Sequence, residues 1–336
     1  MSESKQSVAY AQDGGDARRI VRDEEKTGPA RRASLVAWGS LLIVWVVWGS
    51  TYLSIRVGDE TIPPLVLAGV RFLIAGLIMF PVALRQARSA ARPAGVPAGP
   101  YRPGRAEWLG CAVVGILLLG ANGAVCVGET TVPSGLTALL IATVPLWLLG
   151  IDAVLNHARL GLAPVAGLAV GLAGVGLLSG LGGGKAGVSA SGVVIILCAA
   201  AAWALGTIMA RRVRTPASPA LTSAMQLLIG GAVLLVLAAV TGEFGSFRLS
   251  GVSDRSWLAL GYLIVVGSIV AFSAYVIAVR MLPTATVATY AYVNPVIAVL
   301  LGTLILNEPV TPGMLAGGVL IVGAVILVVR RSPPAH

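Results

Sequence analysis

The sequence has few charged residues. Asp, Glu, Lys and Arg make up 11% of the 336 residues, whereas hydrophobic residues make up 57%. A soluble globular domain carries about a quarter charged residues. This composition excludes an ordinary soluble domain and predicts an integral membrane protein.

Acidic residues are scarcer than basic ones. The chain has 14 Asp and Glu against 24 Lys and Arg, which gives a formal net charge of +10. Many basic proteins bind nucleic acid, but here the basic residues lie between apolar runs instead of forming one cluster. That placement is typical of membrane topology and of contact with anionic lipids. We therefore expect membrane lipids, and no nucleic acid, as partners.

Histidine and cysteine are also rare. The two His residues cannot build a metal site with a recognisable spacing, and the three Cys residues lie in apolar segments without paired spacing. A Ser/His/Asp or Cys/His set within the membrane is not available either, because His157 lies in a connecting turn. We expect no metal, no cofactor and no enzymatic activity.

Long apolar runs are abundant, and each is near the 20 or so residues that cross a bilayer as a helix. Residues 1–34 are different: they are polar, lack the apolar core of a signal peptide, and are predicted to be a disordered tail. The longest connection, 85–107, is a basic linker rich in Ala, Pro and Arg. The ten predicted segments are 35–55, 63–84, 108–127, 133–152, 162–180, 191–210, 217–241, 257–279, 284–306 and 311–329.

The distribution of basic residues predicts the orientation. If the N-terminus is inside, 19 Lys and Arg fall on the cytoplasmic side and only Arg56, Lys185, Arg248 and Arg255 on the other side. Such an excess marks cytoplasmic loops and agrees with an even number of spans. The sequence thus predicts a multi-pass protein of the cytoplasmic (inner) membrane with both termini in the cytoplasm.

The two halves of the chain match each other in order. A shift of 155 residues places Trp48 on Trp203, and a shift of 150 residues places both Pro133 on Pro283 and Pro145 on Pro295. Each half, 35–180 and 191–330, holds five segments, so the second half must enter the membrane from the opposite face. The predicted fold is an all-α membrane protein of ten helices in two inverted five-helix repeats, an arrangement typical of secondary transporters.

Several short motifs resemble the EamA-domain proteins of the drug/metabolite transporter superfamily, and in particular their YedA-like branch. The likeness covers about 36–330. It implies ten helices in two inverted repeats and the export or exchange of small metabolites, amino acids or drugs. One departure is that Ala158 stands at the repeat partner of Glu308, where many members carry a second glutamate. The motifs are Trp48-Gly-Ser-Thr-Tyr52, Pro63-Pro64, Arg71-Phe72, Pro133-Ser-Gly135, Thr143-Val-Pro-Leu146 and Tyr290-Ala-Tyr-Val-Asn-Pro295 with Glu308.

Polar and aromatic residues inside the apolar segments are the candidates for a substrate-binding cavity. Arg71 is the only charged residue deep in an apolar segment. A charge there indicates a functional role, and the alternative is a purely structural role in hydrogen bonding. Aromatic residues on one helix face suit amphipathic or cationic substrates, although helix packing also explains them. The full candidate set is Trp45, Trp48, Tyr52, Arg71, Asn122, Trp147, Trp203, Tyr275, Tyr290 and Asn294.

The two prolines within apolar segments predict where the helices bend. Pro145 and Pro295 lack the N–H of a regular helix and free a carbonyl one turn earlier. In a membrane, such backbone polarity is tolerated only against protein or a water-lined cavity. We expect these two helices to form the pivot of a rocking transporter.

Taken together, the sequence predicts a secondary transporter, an exporter or exchanger of a small organic metabolite, amino acid or drug-like solute. Alternatives are a flippase for lipids or lipid-linked sugars and a membrane-embedded enzyme.

Glycines at 167 and 171 and at 313 and 317 have a spacing that allows close helix approach, within one chain or in a homodimer. Because Glu129, Asp152 and Glu308 all lie at segment ends, we expect at most a weak dependence of transport on the pH gradient.

Overall fold

All regular structure in the described part of the chain is helical. The computed structural model describes residues 32–90, 102–157, 189–287 and 289–331, with short helical pieces between 166 and 177. Most of the predicted tail, the middle of the basic linker, Ala158, Lys185 and much of the fifth predicted segment lie outside the described residues. The helical membrane architecture expected from composition is thereby confirmed for the described part.

The helices reproduce the predicted segments to within about two turns. Seven of them, α1 to α7, are long and apolar enough to cross a membrane, and the apolar parts of α8 and α9 are shorter. The bounds are α1 Arg32–Gly58, α2 Pro64–Ala90, α3 Arg105–Glu129, α4 Ser134–Leu155, α5 Ala190–Arg212, α6 Pro219–Val240, α7 Asp254–Met281, α8 Tyr290–Leu306 and α9 Pro312–Arg331.

The outward surface of the bundle is apolar. Leu77 and Val236 are each more than half exposed, and so are Leu258 and Leu304. Water would penalise such exposure over so many helices, whereas lipid tails accept it. The bundle also buries charged side chains, which is unusual, and Arg71 is only 3% exposed.

The bundle centres on close contact between α2 and α6. A Cβ atom added to Gly76 would lie 2.7 Å from the Leu228 amide nitrogen, and one added to Gly231 would lie 2.4 Å from the Leu73 amide nitrogen. The shift of 155 residues that relates the two halves places Gly76 on Gly231 and Leu73 on Leu228. Only glycine permits backbones to approach this closely.

Charged side chains close the ends of two helices. The Glu243 carboxylate accepts hydrogen bonds from the amides of Leu65 and Val66, at 3.0 and 3.1 Å, in the first turn of α2. Glu308 does the same for α4: it accepts from the amides of Ser134 (3.0 Å) and Gly135 (3.2 Å). These helices begin with proline-containing turns that supply no side-chain cap of their own, so the carboxylates satisfy their free N–H groups.

The glycines of α9 face the same chain. A Cβ atom on Gly174 would lie 2.9 Å from the carbonyl oxygen of Gly317, and one on Gly313 would lie 3.4 Å from that of Leu177. The glycine spacing of α9 therefore serves helix packing within the chain, and the homodimer stays a prediction.

Both prolines expected to bend helices lie close to interruptions. The helix of α4 is broken at Ala142 and Thr143, and Pro145 stands in the first turn of the second part. In the second half, a short helix at Thr284–Val287 ends before α8 begins at Tyr290, and α8 continues through Pro295. The break thus precedes each proline, by two to three residues in α4 and by about one and a half turns in α8.

Candidate functional site

A cavity of about 680 Å³ lies among the helices of both halves, and we refer to it as the main cavity. Seven of the nine described helices contribute to its wall, all except α6 and α9. The lining residues are Trp48, Thr51, Tyr52, Ile55, Arg71, Phe72, Ala121, Asn122, Val125, Ile141, Ala199, Trp203, Gly267, Phe272, Tyr290 and Asn294.

Trp48 stands at the centre of an aromatic cluster at this cavity. Its ring centroid lies 5.4 Å from that of Trp203 and 5.5 Å from that of Tyr290, both in edge-to-face geometry, and 4.9 Å from that of Tyr275. The Trp203 indole N–H donates to the Tyr290 hydroxyl at 3.0 Å. Such pairs prefer these arrangements and hold each other in place, so the cluster forms a defined wall.

A second, smaller cavity of about 320 Å³ lies on the other side of Tyr290, which lines both cavities. Its walls include Tyr275, Thr207 and Arg211. Tyr275 and Thr207 are joined by a hydroxyl contact of 3.4 Å. The aromatic cluster therefore separates two spaces in the bundle.

Arg71 enters the main cavity from α2. One of its terminal nitrogens donates to the side-chain oxygen of Asn122 at 2.9 Å, and its guanidinium carbon lies 4.2 Å from the centroid of the Phe72 ring. Its Nε atom is buried and has no hydrogen-bond partner. Asn122 in turn donates to the carbonyl of Leu118, at 3.3 Å.

Asn294 connects α8 to α1. With its amide nitrogen facing the two nearest carbonyls, it donates to Tyr290 at 3.2 Å and to Trp45 at 3.0 Å. This amide orientation is assigned from the hydrogen-bond network. The polar side chain of Asn294 thus faces protein and a cavity wall, as membrane burial requires.

Seven of the ten predicted site residues line the main cavity. Tyr275 is one of the others and belongs to the smaller cavity. Trp45 and Trp147 line neither cavity and pack against the apolar core. Periodicity places a residue on a helix face, but it does not reveal which neighbouring helix covers that face.

Several residues of the cavity wall were not among the predicted site residues. Thr51 and Ile55 continue the face of Trp48 by helical spacing, so the periodicity of α1 contained a signal for them. Gly267 and Phe272 lie in or next to a π-helical stretch, Leu263–Val270, in the middle of α7. Wider helical turns of this kind are frequent at functional sites, but nothing in the sequence marked this one.

The carboxylates at segment ends have different environments. Asp152 is exposed, 3.8 Å from Arg212, and lies 2.9 Å from the Asn156 amide. Glu129 is fully buried, and neither of its carboxylate oxygens has a hydrogen-bond partner. A position at the end of a segment therefore leaves Asp152 exposed but Glu129 buried.

Apolar helices of membrane-spanning length surround an internal cavity, an arrangement found in polytopic membrane transporters. The model of the EamA-like transporter family matches residues 36–180 and again 190–330, and the chain belongs to this family.

Proteins named as transporters or efflux pumps are similar to this chain over most of its length. The "Uncharacterized inner membrane transporter YedA" of Escherichia coli (strain K12) is 38% identical over 301 residues, which cover 88% of this chain and 92% of the relative. The "Probable amino-acid metabolite efflux pump" of Salmonella typhimurium is 27% identical over 305 residues, which cover 85% and 92%. A solved crystal structure superposes with a TM-score of 0.57 at 21% identity, over 88% of this chain and 97% of that chain, which shows the shared fold.

These comparisons and the apolar helices support a multi-pass transporter of the inner membrane. The family and the names of its relatives are those of transporters and not of enzymes.

Proposed function

We propose that this protein is a secondary transporter that exports or exchanges a small organic metabolite, amino acid or drug-like solute across the cytoplasmic membrane. One observation carries the proposal: residues from both family-matched stretches build the wall of a single cavity. Trp48 and Arg71 come from the first stretch, and Trp203 and Tyr290 come from the second. A site between two halves is where relative movement of those halves opens and closes access.

The proposed architecture is two inverted repeats of five helices. Two observations support it: one family model matches the chain twice, and the contacts of Gly76 and Gly231 are equivalent under the internal shift. The excess of basic residues on one side supports cytoplasmic termini.

In the proposed mechanism, the aromatic cluster is the barrier between the two cavities. The solute binds in the main cavity, and the barrier opens when the helices around Pro145 and Pro295 bend. Tyr290 is central to this step, because its ring lines both cavities and its hydroxyl accepts a hydrogen bond from Trp203. Opening requires that this bond break and that the rings turn.

The proposed function is tested by exposing bacterial cells with and without the protein to a panel of amino acids, organic acids, amines and antibiotics. We expect the protein to raise tolerance to some of these solutes and to lower their accumulation. Trp48→Ala removes the centre of the cluster and should abolish the effect. Trp38→Ala is the matched control, because Trp38 is 51% exposed near the start of α1. The proposal is contradicted if the protein changes neither tolerance to nor accumulation of any solute in the panel, or if Trp48→Ala is fully active.

The proposed orientation is tested by labelling single cysteines with an impermeant thiol reagent, after replacement of Cys111, Cys126 and Cys198. Arg255 and Arg214 are both exposed and lie at helix ends that the inverted arrangement assigns to opposite sides. We expect Arg255→Cys to react in intact cells and Arg214→Cys to react only after permeabilisation. Labelling of both from the same side would rule out the proposed topology.

A further inference from the structure

Arg71 carries a charge that the described chain does not neutralise. A guanidinium stays protonated and has five N–H donors. One donor is used by Asn122 and one contact is made with the Phe72 ring, while Nε–H has no partner. Within the described residues, no carboxylate lies within ion-pair distance of Arg71. A buried cation in this condition requires an anion from elsewhere.

The nearest acidic groups do not supply that anion by direct contact. Asp59 and Glu129 both interact electrostatically with Arg71, yet the oxygens of both are buried without hydrogen-bond partners. Burial raises the pKa of Asp59 well above its usual value, although the charges of Arg71 and Arg56 oppose this shift and that of Glu243 adds to it. Neither carboxylate is in ion-pair contact with the Arg71 guanidinium.

A guanidinium matches a carboxylate in shape, because its planar N–H groups form a fork that meets two oxygens. In Arg71, Asn122 contacts Nη2, so the other terminal nitrogen, Nη1, is the one left for a solute. Arg71 is a residue of the cavity wall, and the same wall includes Trp48, Phe272 and Tyr290. The wall therefore combines one fixed cation with apolar, largely aromatic surface.

We propose that the main cavity selects organic solutes that carry a carboxylate, which Arg71 binds while the apolar part of the solute packs on Trp48 and Phe272. This inference rests on the proposed function and specifies its substrate class. Asn122 is a positioning residue, since its side-chain oxygen accepts a hydrogen bond from Nη2 of Arg71 and leaves Nη1 for the solute. Solutes with an ammonium group alone are disfavoured, because the fixed charge repels them.

The test uses three probes with one skeleton: 3-phenylpropionate, 3-phenylpropanamide and 3-phenylpropylamine. At neutral pH the first is an anion, the second is neutral and the third is a cation. Binding to the purified full-length protein in lipid nanodiscs is followed by quenching of tryptophan fluorescence, since Trp48 and Trp203 line the cavity. We expect the acid to bind at least tenfold more tightly than the amide, and the amine to bind most weakly.

Variants then assign the preference to Arg71. Arg71→Gln introduces the side chain that the second half carries at the equivalent position, Gln226. It should lower the affinity for 3-phenylpropionate to that for 3-phenylpropanamide. Arg71→Lys keeps the charge without the planar fork, so its affinity for 3-phenylpropionate should lie between those of the parent and of Arg71→Gln. Arg255→Gln is the control and should bind like the parent, because Arg255 is exposed at the start of α7 and lines neither cavity.

The outcomes separate this inference from the proposed function. Equal binding of acid, amide and amine by the parent protein, or an acid preference that survives in Arg71→Gln, overturns the carboxylate site. The first of these comparisons needs no variant, so it stands even where Arg71→Gln does not fold. Solute export that depends on Trp48 and not on Arg71 would leave the transporter intact and overturn the carboxylate site alone. Loss of all export in the cell panel would overturn the transporter itself.

Discussion

Gly231→Ala is expected to leave little folded protein in the membrane. The added Cβ would lie 2.4 Å from the amide nitrogen and 2.9 Å from the Cα of Leu73, and 3.0 Å from the carbonyl oxygen of Gly69. All three neighbours are backbone atoms of α2, so no side chain can turn away to make room. The two helices must separate along their contact, and we expect a cost at or above the roughly 3 kcal/mol upper range of ordinary overpacking.

The measurement is the amount of monodisperse protein and its melting temperature in mild detergent. Gly120→Ala is the matched control, since Gly120 lies within α3 and an added Cβ there meets nothing within 4 Å. That change should be neutral or stabilising, by up to about 1 kcal/mol, because alanine favours the helix more than glycine does. A Gly231→Ala protein that melts together with the control would show that α2 and α6 are not in this contact.

The second large effect is expected at Glu308. Its carboxylate accepts from the amides of Ser134 and Gly135 and from the Ser134 hydroxyl, at 3.0, 3.2 and 2.8 Å. Hydrogen bonds to a charged group contribute about 1.5–3 kcal/mol, and the positive end of the helix adds to this. Glu308→Ala leaves the first turn of α4 without these partners and should lower the free energy of unfolding by about 3 kcal/mol.

Thermal melting of the same purified preparations tests this expectation. Glu308→Gln keeps the acceptor oxygen without the charge and should lose less stability. Glu60→Ala is the control, because Glu60 is an exposed acidic residue in the turn after α1. Gly302→Ala should reproduce part of the loss, because its Cβ would lie 2.5 Å from one oxygen of the Glu308 carboxylate. If Glu308→Ala and Glu60→Ala melt alike, Glu308 is not the cap of α4.

The polar outliers of the apolar segments were predictable because they conflict with their surroundings. A charge at Arg71 and an amide at Asn294 are costly in lipid, so they had to face protein or a cavity. Trp48 and Trp203, equivalent in the internal match and both predicted as cavity residues, line the main cavity with their ring centroids 5.4 Å apart. The helix positions followed from hydropathy alone, whereas the ten-helix inverted arrangement stays a prediction.

Other features were not available from the sequence, for a physical reason. In a membrane protein, a helix face toward lipid and a face toward another helix are both apolar. Hydropathy therefore could not separate Trp45 and Trp147, which pack in the core, from Trp48, which lines the cavity. Nor could it show that Glu129, at the end of an apolar run, is fully covered by neighbouring helices.

The reciprocal contact of Gly76 with Leu228 and of Gly231 with Leu73 has a consequence for the energetics of the transport cycle. An interface built from the same patch on both sides is isologous, as in a two-fold symmetric dimer. With two identical inverted halves, a two-fold rotation would relate the inward-open and outward-open conformations, which would then be equal in free energy. Arg71 and Gln226 occupy equivalent places and break that equality. The empty carrier is therefore expected to rest with unequal populations of its two conformations, and a ligand that neutralises Arg71 would shift the balance between them.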